Sequence, residues 1–508
     1  MTLRLKISSA LRLVIVMVAV MSVGAYVLWG QAHPYFDAVS LALMVLFAMV
    51  LYAFSGGFSS AYPPVIIVTL LLVLFVQLRT LVLIVIPDSL LNSGSVTSEM
   101  VNATLGYIIC GTIACYLGFA LGYGRIKKAA RPVTKNTNRN NFRYLITSAG
   151  FLISLVLTLM IYFTLGYSGT TGSGAGQGFF QRYVSRLIEP DAWLIIVVTA
   201  YFMGERKRGR SWSFMAILAL YFLSFMLRGS RAGLFEILIL WLAAKLLIDN
   251  NFYIRLNFPR LLLATCSIPI VFAAYGISTQ LRELRYGREG LTISYFTNYF
   301  SSKEFIASAT DAVSGVSYRL SFIEPTMFPM FTEQLRLNNI SRLVNAKTTL
   351  QSSINRLIPG KPLGNILFSE YAFGYMYNAE TGILAYSENG RVDHVGYEWS
   401  MFGISYQLFG RVGGVIFIFL FTAFLGKIVG GFRKSGRFYG YVFGLYFLTI
   451  VALWIRNLGI DNMTDAAVHG FVVLGIYAIG LSLFTGSFKM RVARLKPQPM
   501  ASCPPLSP

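Results

Sequence analysis

Apolar stretches long enough to cross a membrane as helices recur along almost the whole chain. A bilayer's hydrocarbon core is about 30 Å thick and needs roughly 20 apolar residues per helix. Only 13% of the 508 residues are charged, against about 25% in soluble domains. The weaker, alternating segments typical of an outer-membrane barrel do not recur in the sequence. The sequence therefore predicts an all-α fold, a polytopic bundle of transmembrane helices.

We predict about twelve transmembrane helices from these stretches. Their ranges are 11–30, 36–54, 63–86, 103–123, 144–166, 191–203, 212–228, 231–248, 260–278, 408–430, 439–456 and 465–486. The chain then divides into nine helices in 1–278, one large external loop in 279–407, three helices in 408–486, and a disordered tail in 487–508.

Basic clusters predict the orientation of these helices. The 43 Lys and Arg residues outnumber 21 acids, giving a net charge of +22, which in a soluble protein would suggest nucleic acid. Here the clusters follow the fourth, sixth, tenth and twelfth predicted helices, and lysine and arginine concentrate in short cytoplasmic loops. This pattern predicts cytoplasmic N- and C-termini, and it favours a membrane protein with no nucleic-acid partner.

The predicted external loop is too long to lack secondary structure. Within it, the stretch 339–358 repeats apolar residues at helical spacing, among them Leu343, Leu350 and Ile354. We therefore expect short amphipathic helices packed on the outer membrane surface.

Two arginine groups stand where anionic lipid headgroups would lie. Arg228 and Arg231 flank a Gly-Ser pair between two predicted helices, and Arg282, Arg285 and Arg288 repeat every three residues where the ninth helix ends. A guanidinium offers a planar fork of donors that suits phosphate oxygens. The alternative is that these side chains snorkel to the interface or form a solvated charge run.

Acidic and histidine side chains cluster just before the tenth predicted helix. Asp393, His394 and Glu398 lie there beside Tyr397 and Trp399. His394 and Glu398 are one helical turn apart, and either can act as a general base. The alternative is an interfacial aromatic anchor.

Other charges fall inside predicted helices. Arg79 and Glu236 are intramembrane charges that we expect to find partners within the bundle. The four cysteines have no metal-ligand spacing, no Asp-x-Asp pair indicates a divalent cation, and no glycine-rich loop suits a nucleotide. The sequence thus favours an outer-face reaction without metal or cofactor.

In its overall plan the chain resembles the bacterial O-antigen polymerase (Wzy-type) family of oligosaccharide repeat-unit polymerases. The resemblance rests on about twelve helices, a large external loop before the last three, and two short motifs. One motif is Arg-Gly-Ser-Arg at 228–231 followed by Ala-Gly-Leu, and the other is the acid, aromatic and glycine pattern in 397–403 and 410–414.

This resemblance implies a metal-independent glycosyltransferase of the bacterial inner membrane, active in lipopolysaccharide biosynthesis. It implies undecaprenyl-diphosphate-linked oligosaccharides as substrates, membrane lipids as surroundings, and a chain-length regulator and a flippase as partners. Glu398 is the leading candidate base, with His394 or Asp393 in reserve. The candidate diphosphate ligands are Arg228, Arg231, Arg282 and Arg285, followed by Arg288, Arg319 and Arg411.

Three other functions stay open, one of them a structural or assembly protein whose loop binds a periplasmic partner. O-antigen ligases share the same plan, and a loop histidine such as His394 is associated with them. A lipid-linked oligosaccharide flippase is the alternative from a different class, and flippases concentrate charge along a cavity within the bundle.

Overall fold

The structure is a computed structural model that describes the helical parts of the chain. The described residues are 3–29, 33–56, 58, 62–87, 96–124, 137–165, 190–204, 208–227, 233–249, 253–256, 322–331, 345–357, 363, 400–456 and 460–495.

Helices make up almost all of this described part. The first eight are α1 (Ile7–Trp29), α2 (Ala38–Phe54), α3 (Pro63–Leu72, π-helical Val73–Gln77, and Leu78–Val85), α4 (Ser98–Tyr123), α5 (Thr137–Leu165), α6 (Pro190–Met203), α7 (Arg208–Leu227) and α8 (Gly233–Leu247). The remaining five are α9 (Ile323–Met330), α10 (Ala346–Leu357), α11 (Met401–Lys434), α12 (Phe438–Arg456) and α13 (Ile460–Leu495).

These helices coincide with eleven of the predicted transmembrane ranges, while 260–278 lies outside the described residues. Six helical stretches are long and apolar enough to cross a membrane, and three shorter ones are apolar. The six are Ile7–Trp29, Pro64–Val85, Ser98–Tyr123, Asn141–Met160, Met401–Lys434 and Ala466–Leu483. The chain is therefore a helical membrane protein, as predicted, and the count of twelve spans stays a prediction. Helix α13 also continues to Leu495, into the range predicted as a tail.

A small antiparallel sheet adds a feature that we did not predict. Strand β1 (Leu3–Lys6) pairs with β2 (Tyr253–Leu256), with Leu3 opposite Leu256 and Lys6 opposite Tyr253. Because β1 leads directly into α1, the pairing ties the start of α1 to the chain that follows α8.

The end of the bundle that contains this sheet, which we call the N-terminal side, is held by arginines. Arg12 Nε donates to the carbonyl of Tyr52 at 3.1 Å, and Arg433 donates to the Tyr123 hydroxyl at 2.5 Å. Arg210 donates to the Asn141 side chain. Each contact joins helix ends that alternate crossing puts on one side of a membrane.

Helix α3 lies at the centre of the bundle. Its residues Val65, Ile67, Leu72 and Val76 are fully buried. Gln77, at the end of its π-helical turn, donates to the Ile15 carbonyl of α1 at 2.7 Å. A π-turn widens the helical hydrogen-bond ladder and is often found at functional sites.

Helices α4 and α11 cross closely along a glycine seam, formed by Gly118, Gly122, Gly426 and Gly430. A Cβ atom at Gly122 would collide with the carbonyl oxygen of Ala423. Cβ atoms at Gly426 and Gly430 would lie 3.0 and 2.8 Å from backbone atoms of α4. Small residues at i and i+4 let helix backbones approach in this way, and dispersion contacts then stabilise the pair.

Helix α9 corrects our expectation for the external loop. All residues of 322–329 are buried, and this segment packs on α3, α4 and α11 inside the bundle rather than on a membrane surface. The sequence of α9 is apolar apart from Glu324 and Thr326, so the segment suits a protein interior.

Helix α10 confirms the predicted helix in 339–358. Leu350 is 63% exposed, whereas Thr349, Ser352, Ser353 and Asn355 are buried. Helix α10 packs on α13. Its polar face therefore lies against protein, and its position relative to the membrane surface stays a prediction.

Candidate functional site

Most of the predicted site residues lie outside the described part of the chain. These are Asp393, His394, Glu398, Arg228, Arg231, Arg282, Arg285, Arg288 and Arg319. The structure therefore bears on the predicted site through Arg411 and through the described residues around it.

Arg411 lies directly after a break in helix α11. Gly410 has φ 69° and ψ −172°, a backbone conformation that favours glycine because it has no Cβ. The Arg411 side chain is exposed, between the exposed side chains of Phe409 and Val412. The predicted start of this helix at residue 408 thus falls beside the break, and α11 consists of two helical parts.

The buried ion pair of the described chain joins residues of the predicted loop to the bundle interior. Arg79 of α3 and Glu324 of α9 form a salt bridge, and both side chains have 0% exposure. Arg79 Nε also donates to the same carboxylate oxygen at 3.2 Å. The partner found for the intramembrane Arg79 is thus an acid of the predicted loop. Glu236, our other intramembrane charge, instead accepts a hydrogen bond from Tyr221.

The segment around Glu324 makes two further contacts with α3. The Phe322 N–H donates to the Phe75 carbonyl at 3.1 Å, inside the π-helical turn. The Phe322 and Phe75 rings stack with centroids 4.7 Å apart. The widened turn of α3 is therefore the place where the loop segment attaches.

The same segment contacts the start of α11. The hydroxyl oxygens of Thr326 and Ser400 are 2.8 Å apart, and Ser400 caps α11 by accepting from the Gly403 N–H at 3.0 Å. A Cβ at Gly403 would collide with the Pro325 carbonyl. We call residues 322–331 the docked segment, and its contacts with Phe75, Arg79 and Ser400 the seat.

Two acids meet where helices α6, α7 and α8 come together. The Tyr221 hydroxyl of α7 lies 3.0 Å from a carboxylate oxygen of Asp191 and 3.4 Å from one of Glu236. These residues come from α6, α7 and α8, and the predicted arginines at 228 and 231 lie between the last two helices. Two members of this cluster, Tyr221 and Glu236, thus lie within a few residues of those arginines in the sequence.

A polar clamp joins α2 and α4 at the side opposite the N-terminal side. Asp37 caps α2, and the Asn102 amide donates to both of its carboxylate oxygens, at 3.1 and 3.0 Å. Burial opposes the charged form, but the Ser40 N–H and the Asn102 amide outweigh it and lower the pKa of Asp37.

His33 lies in the connection between α1 and α2. Its Nδ1 accepts the N–H groups of Tyr35 and Phe36, at 3.2 and 3.1 Å. Burial lowers the pKa of His33 and outweighs the nearby carbonyls of Ile84 and Leu83, which favour the charged form. The Nε2 atom is buried and does not meet hydrogen-bonding geometry with any group among the described residues.

Glu324 was not among the predicted site residues. The signal that singles it out is local, because Glu324 stands within the apolar run SFIEPTMFPMF. An isolated acid in such a run is costly to bury without a partner. Its pairing with Arg79 follows from the tertiary fold, which single-sequence patterns do not reveal.

The described residues hold no cluster of three or more His, Cys, Asp or Glu side chains arranged to bind a metal ion. Comparisons with known protein families, with curated proteins and with solved structures found no match for this chain.

Proposed function

We propose that this membrane protein is a glycosyltransferase that polymerises oligosaccharide repeat units linked to undecaprenyl diphosphate. The observation that carries the proposal is the seat. The docked segment belongs to the predicted loop, which is rich in arginine and aromatic residues, and a buried charge pair attaches this segment to the bundle. A membrane enzyme that acts on lipid-linked sugars needs such a loop held at the bilayer surface.

The proposed orientation puts the N-terminal side in the cytoplasm of a bacterial inner membrane and the long loop in the periplasm. Arg12, Arg210 and Arg433 lie on the N-terminal side, in agreement with the cytoplasmic bias of arginine. The docked segment contacts Ser400, which begins α11 at the opposite side.

In the proposed reaction, a hydroxyl of a lipid-linked repeat unit attacks the anomeric carbon of the growing chain. A new glycosidic bond forms while the bond from that carbon to the diphosphate breaks, and undecaprenyl diphosphate leaves. Glu398 takes the proton of the attacking hydroxyl, with His394 or Asp393 as alternatives. Arg228, Arg231, Arg282 and Arg285 stabilise the negative charge that develops on the leaving diphosphate.

The intramembrane charge pair supports an enzyme over a flippase. A flippase presents charge to a cavity that the headgroup crosses. Arg79 and Glu324 are instead fully buried against each other, with no exposed surface. The pair attaches α9 to α3 within the protein, as expected of a scaffold that holds an outer loop.

The test is incubation of the purified protein with a lipid-linked repeat unit, with products separated by size. A ladder supports a polymerase, and a single transfer to lipid A core identifies a ligase. No product with either acceptor, together with lipid-linked sugar crossing a vesicle membrane, would identify a flippase.

Arginine variants test the proposed chemistry. Arg231→Ala and Arg285→Ala should abolish the ladder while protein level in the membrane is unchanged. The matched control is Arg437→Ala, an exposed arginine on the N-terminal side, which should leave the ladder intact. Wild-type chain lengths in the first two variants would remove both arginines from the mechanism.

A further inference from the structure

We propose that the docked segment is a re-entrant element that is seated inside the membrane and anchors the predicted external loop, and that Arg79 and Glu324 are its positioning pair. The seating is independent of the proposed reaction. Only its predicted effect on product formation rests on the glycosyltransferase function.

The depth of the attachment points supports a re-entrant path. Helix α3 ends at Val85, and Phe75 lies ten residues earlier, about 15 Å along a helix axis at 1.5 Å per residue. This is about half of a 30 Å hydrocarbon core. The Phe322 N–H reaches the Phe75 carbonyl, so the segment enters to mid-membrane depth.

A short helix that ends at such depth has unpaired backbone groups at both ends, and these are tolerated only where protein surrounds them. Residues 322–329 meet this condition because every one of them is buried. Thr326 also donates to the Phe322 carbonyl at 2.5 Å, which gives its buried hydroxyl group an acceptor. The segment is therefore built for an interior position.

The ion pair makes seating conditional on both charges. Removing one partner of a buried pair leaves an uncompensated charge in an apolar interior. The Arg79 side chain is fully buried, so loss of the Glu324 carboxylate favours access of its charge to water. Release of the docked segment gives that access at a lower cost than unfolding the bundle, because local opening is the cheapest response.

The seat also lies close in sequence to two of the predicted site residues. Glu398 is two residues before Ser400, and Arg319 is three residues before Phe322. Thr326 and Ser400 are joined through their hydroxyls. The seat thus links the chain segments that carry a candidate base and a candidate diphosphate ligand.

Cysteine labelling tests the seating without any enzyme assay. The four natural cysteines are replaced by serine or alanine, and Met327, which is fully buried, is replaced by cysteine. A membrane-impermeant maleimide should leave this cysteine unlabelled. Adding Glu324→Gln should raise its labelling rate at least ~10-fold, which corresponds to about 1.4 kcal/mol of lost docking free energy.

Three controls define this result. Glu99→Gln removes an exposed acid of α4 and should leave the Met327→Cys labelling unchanged. A cysteine at exposed Lys347 should be labelled equally in all backgrounds. The exchange Arg79→Glu with Glu324→Arg should restore protection, because the pair is re-formed with reversed sign.

A disulfide tether separates positioning from general stability. Thr326→Cys with Ser400→Cys should cross-link readily, since the native hydroxyls are 2.8 Å apart. In the Glu324→Gln background this tether should restore the polymer ladder, at unchanged protein level. A pair that only stabilised the bundle would not be replaced by a link between the docked segment and α11.

The outcomes are distinct. Labelling of Met327→Cys in the otherwise native chain, or failure of the tether to form, overturns the re-entrant seating. Protection that persists in Glu324→Gln overturns the role of the ion pair. If Glu324→Gln does not accumulate, the charge exchange and the tether decide. Seating as expected with no glycosyl transfer by any variant leaves this inference standing and removes the proposed function.

Discussion

The glycine seam and the seat hold the same helix, α11, by opposite means. At the seam, Gly426 and Gly430 of α11 bring its backbone against α4 with no side chain between them. At the seat, Ser400 and Gly403 at the start of α11 meet the docked segment, which is fixed to α3 by Arg79 and Glu324. One interface depends on the absence of side chains and the other on a specific pair of charges.

The difference teaches how permanent each contact is. Close helix packing in a bilayer does not depend on water, since lipid tails are as apolar as the helices. A buried ion pair depends strongly on both partners, because each charge alone is costly in an apolar interior. The seam therefore acts as a fixed joint, and the seat as one that a single charge change can open.

The largest expected effect is at the seat. Arg79→Met leaves Glu324 buried without its cation, and should destabilise the docked state by about 3–5 kcal/mol. The double variant Arg79→Met with Glu324→Leu should recover most of this loss, because an apolar pair removes both buried charges. Protection of a cysteine at Met327 measures docking in each variant. A double variant no better docked than the single one would contradict the comparison.

The next effect is at the seam. Gly122→Ala forces a methyl group against the Ala423 carbonyl and should cost about 1–3 kcal/mol, the range of overpacked cores. Gly106→Ala is the matched control in the same helix, because a Cβ there meets no atom within 4 Å. That control should be neutral or slightly stabilising. Thermal unfolding in detergent measures both, and equal midpoints would show that the seam tolerates a side chain.

A smaller effect is expected at the clamp between α2 and α4. Asn102→Ala removes both amide donors from Asp37 and should cost about 1 kcal/mol at neutral pH, as hydrogen bonds to partly exposed groups do. The folded pKa of Asp37 is lowered, so this stability is present above pH 3.8 and is lost as pH falls through the lower folded value. Unfolding of both proteins from pH 7 to pH 3 checks this. A stability difference between the two proteins that grows as pH falls would contradict this prediction.

The smallest effect concerns His33. Its folded pKa is lowered below 6.5, so the unfolded chain binds the proton first and stability falls as pH drops below about 6.5. His33→Gln should flatten the stability profile between pH 7.5 and pH 5. Gly122→Ala should leave that slope unchanged, since no titratable group changes at the seam. If stability depends on pH equally in His33→Gln and in the native chain, the loss of stability in acid comes from another titratable group.

The helices were predictable because each carries its own signal. An apolar stretch of sufficient length forms a transmembrane helix whatever it packs against, so ranges such as 63–86 agree with α3. The break at Gly410 was only partly predictable. A glycine at a helix start is visible in the sequence, but a positive φ is set by the packing of both helical parts.

The seat could not be predicted, because its partners are far apart in the chain. Arg79 was identifiable as an intramembrane charge, yet 21 acids could have been its partner. The choice of Glu324 follows from where the chain brings the docked segment. The sheet of β1 with β2 escaped prediction for the same reason, since a four-residue strand has no signal without its partner.

The separation between Arg79 and Glu324 also sets a schedule for biosynthesis. The two residues are 245 positions apart, so at about 5–20 residues per second the ribosome adds Glu324 some 12–50 seconds after Arg79. During that interval α3 enters the membrane with a positive charge six residues before its end at Val85, and without the carboxylate of Glu324. The newborn protein must shelter this charge with neighbouring helices, lipid headgroups or an insertion factor until the later residue arrives. The ion pair can therefore form only after the residues between its two partners have been synthesised.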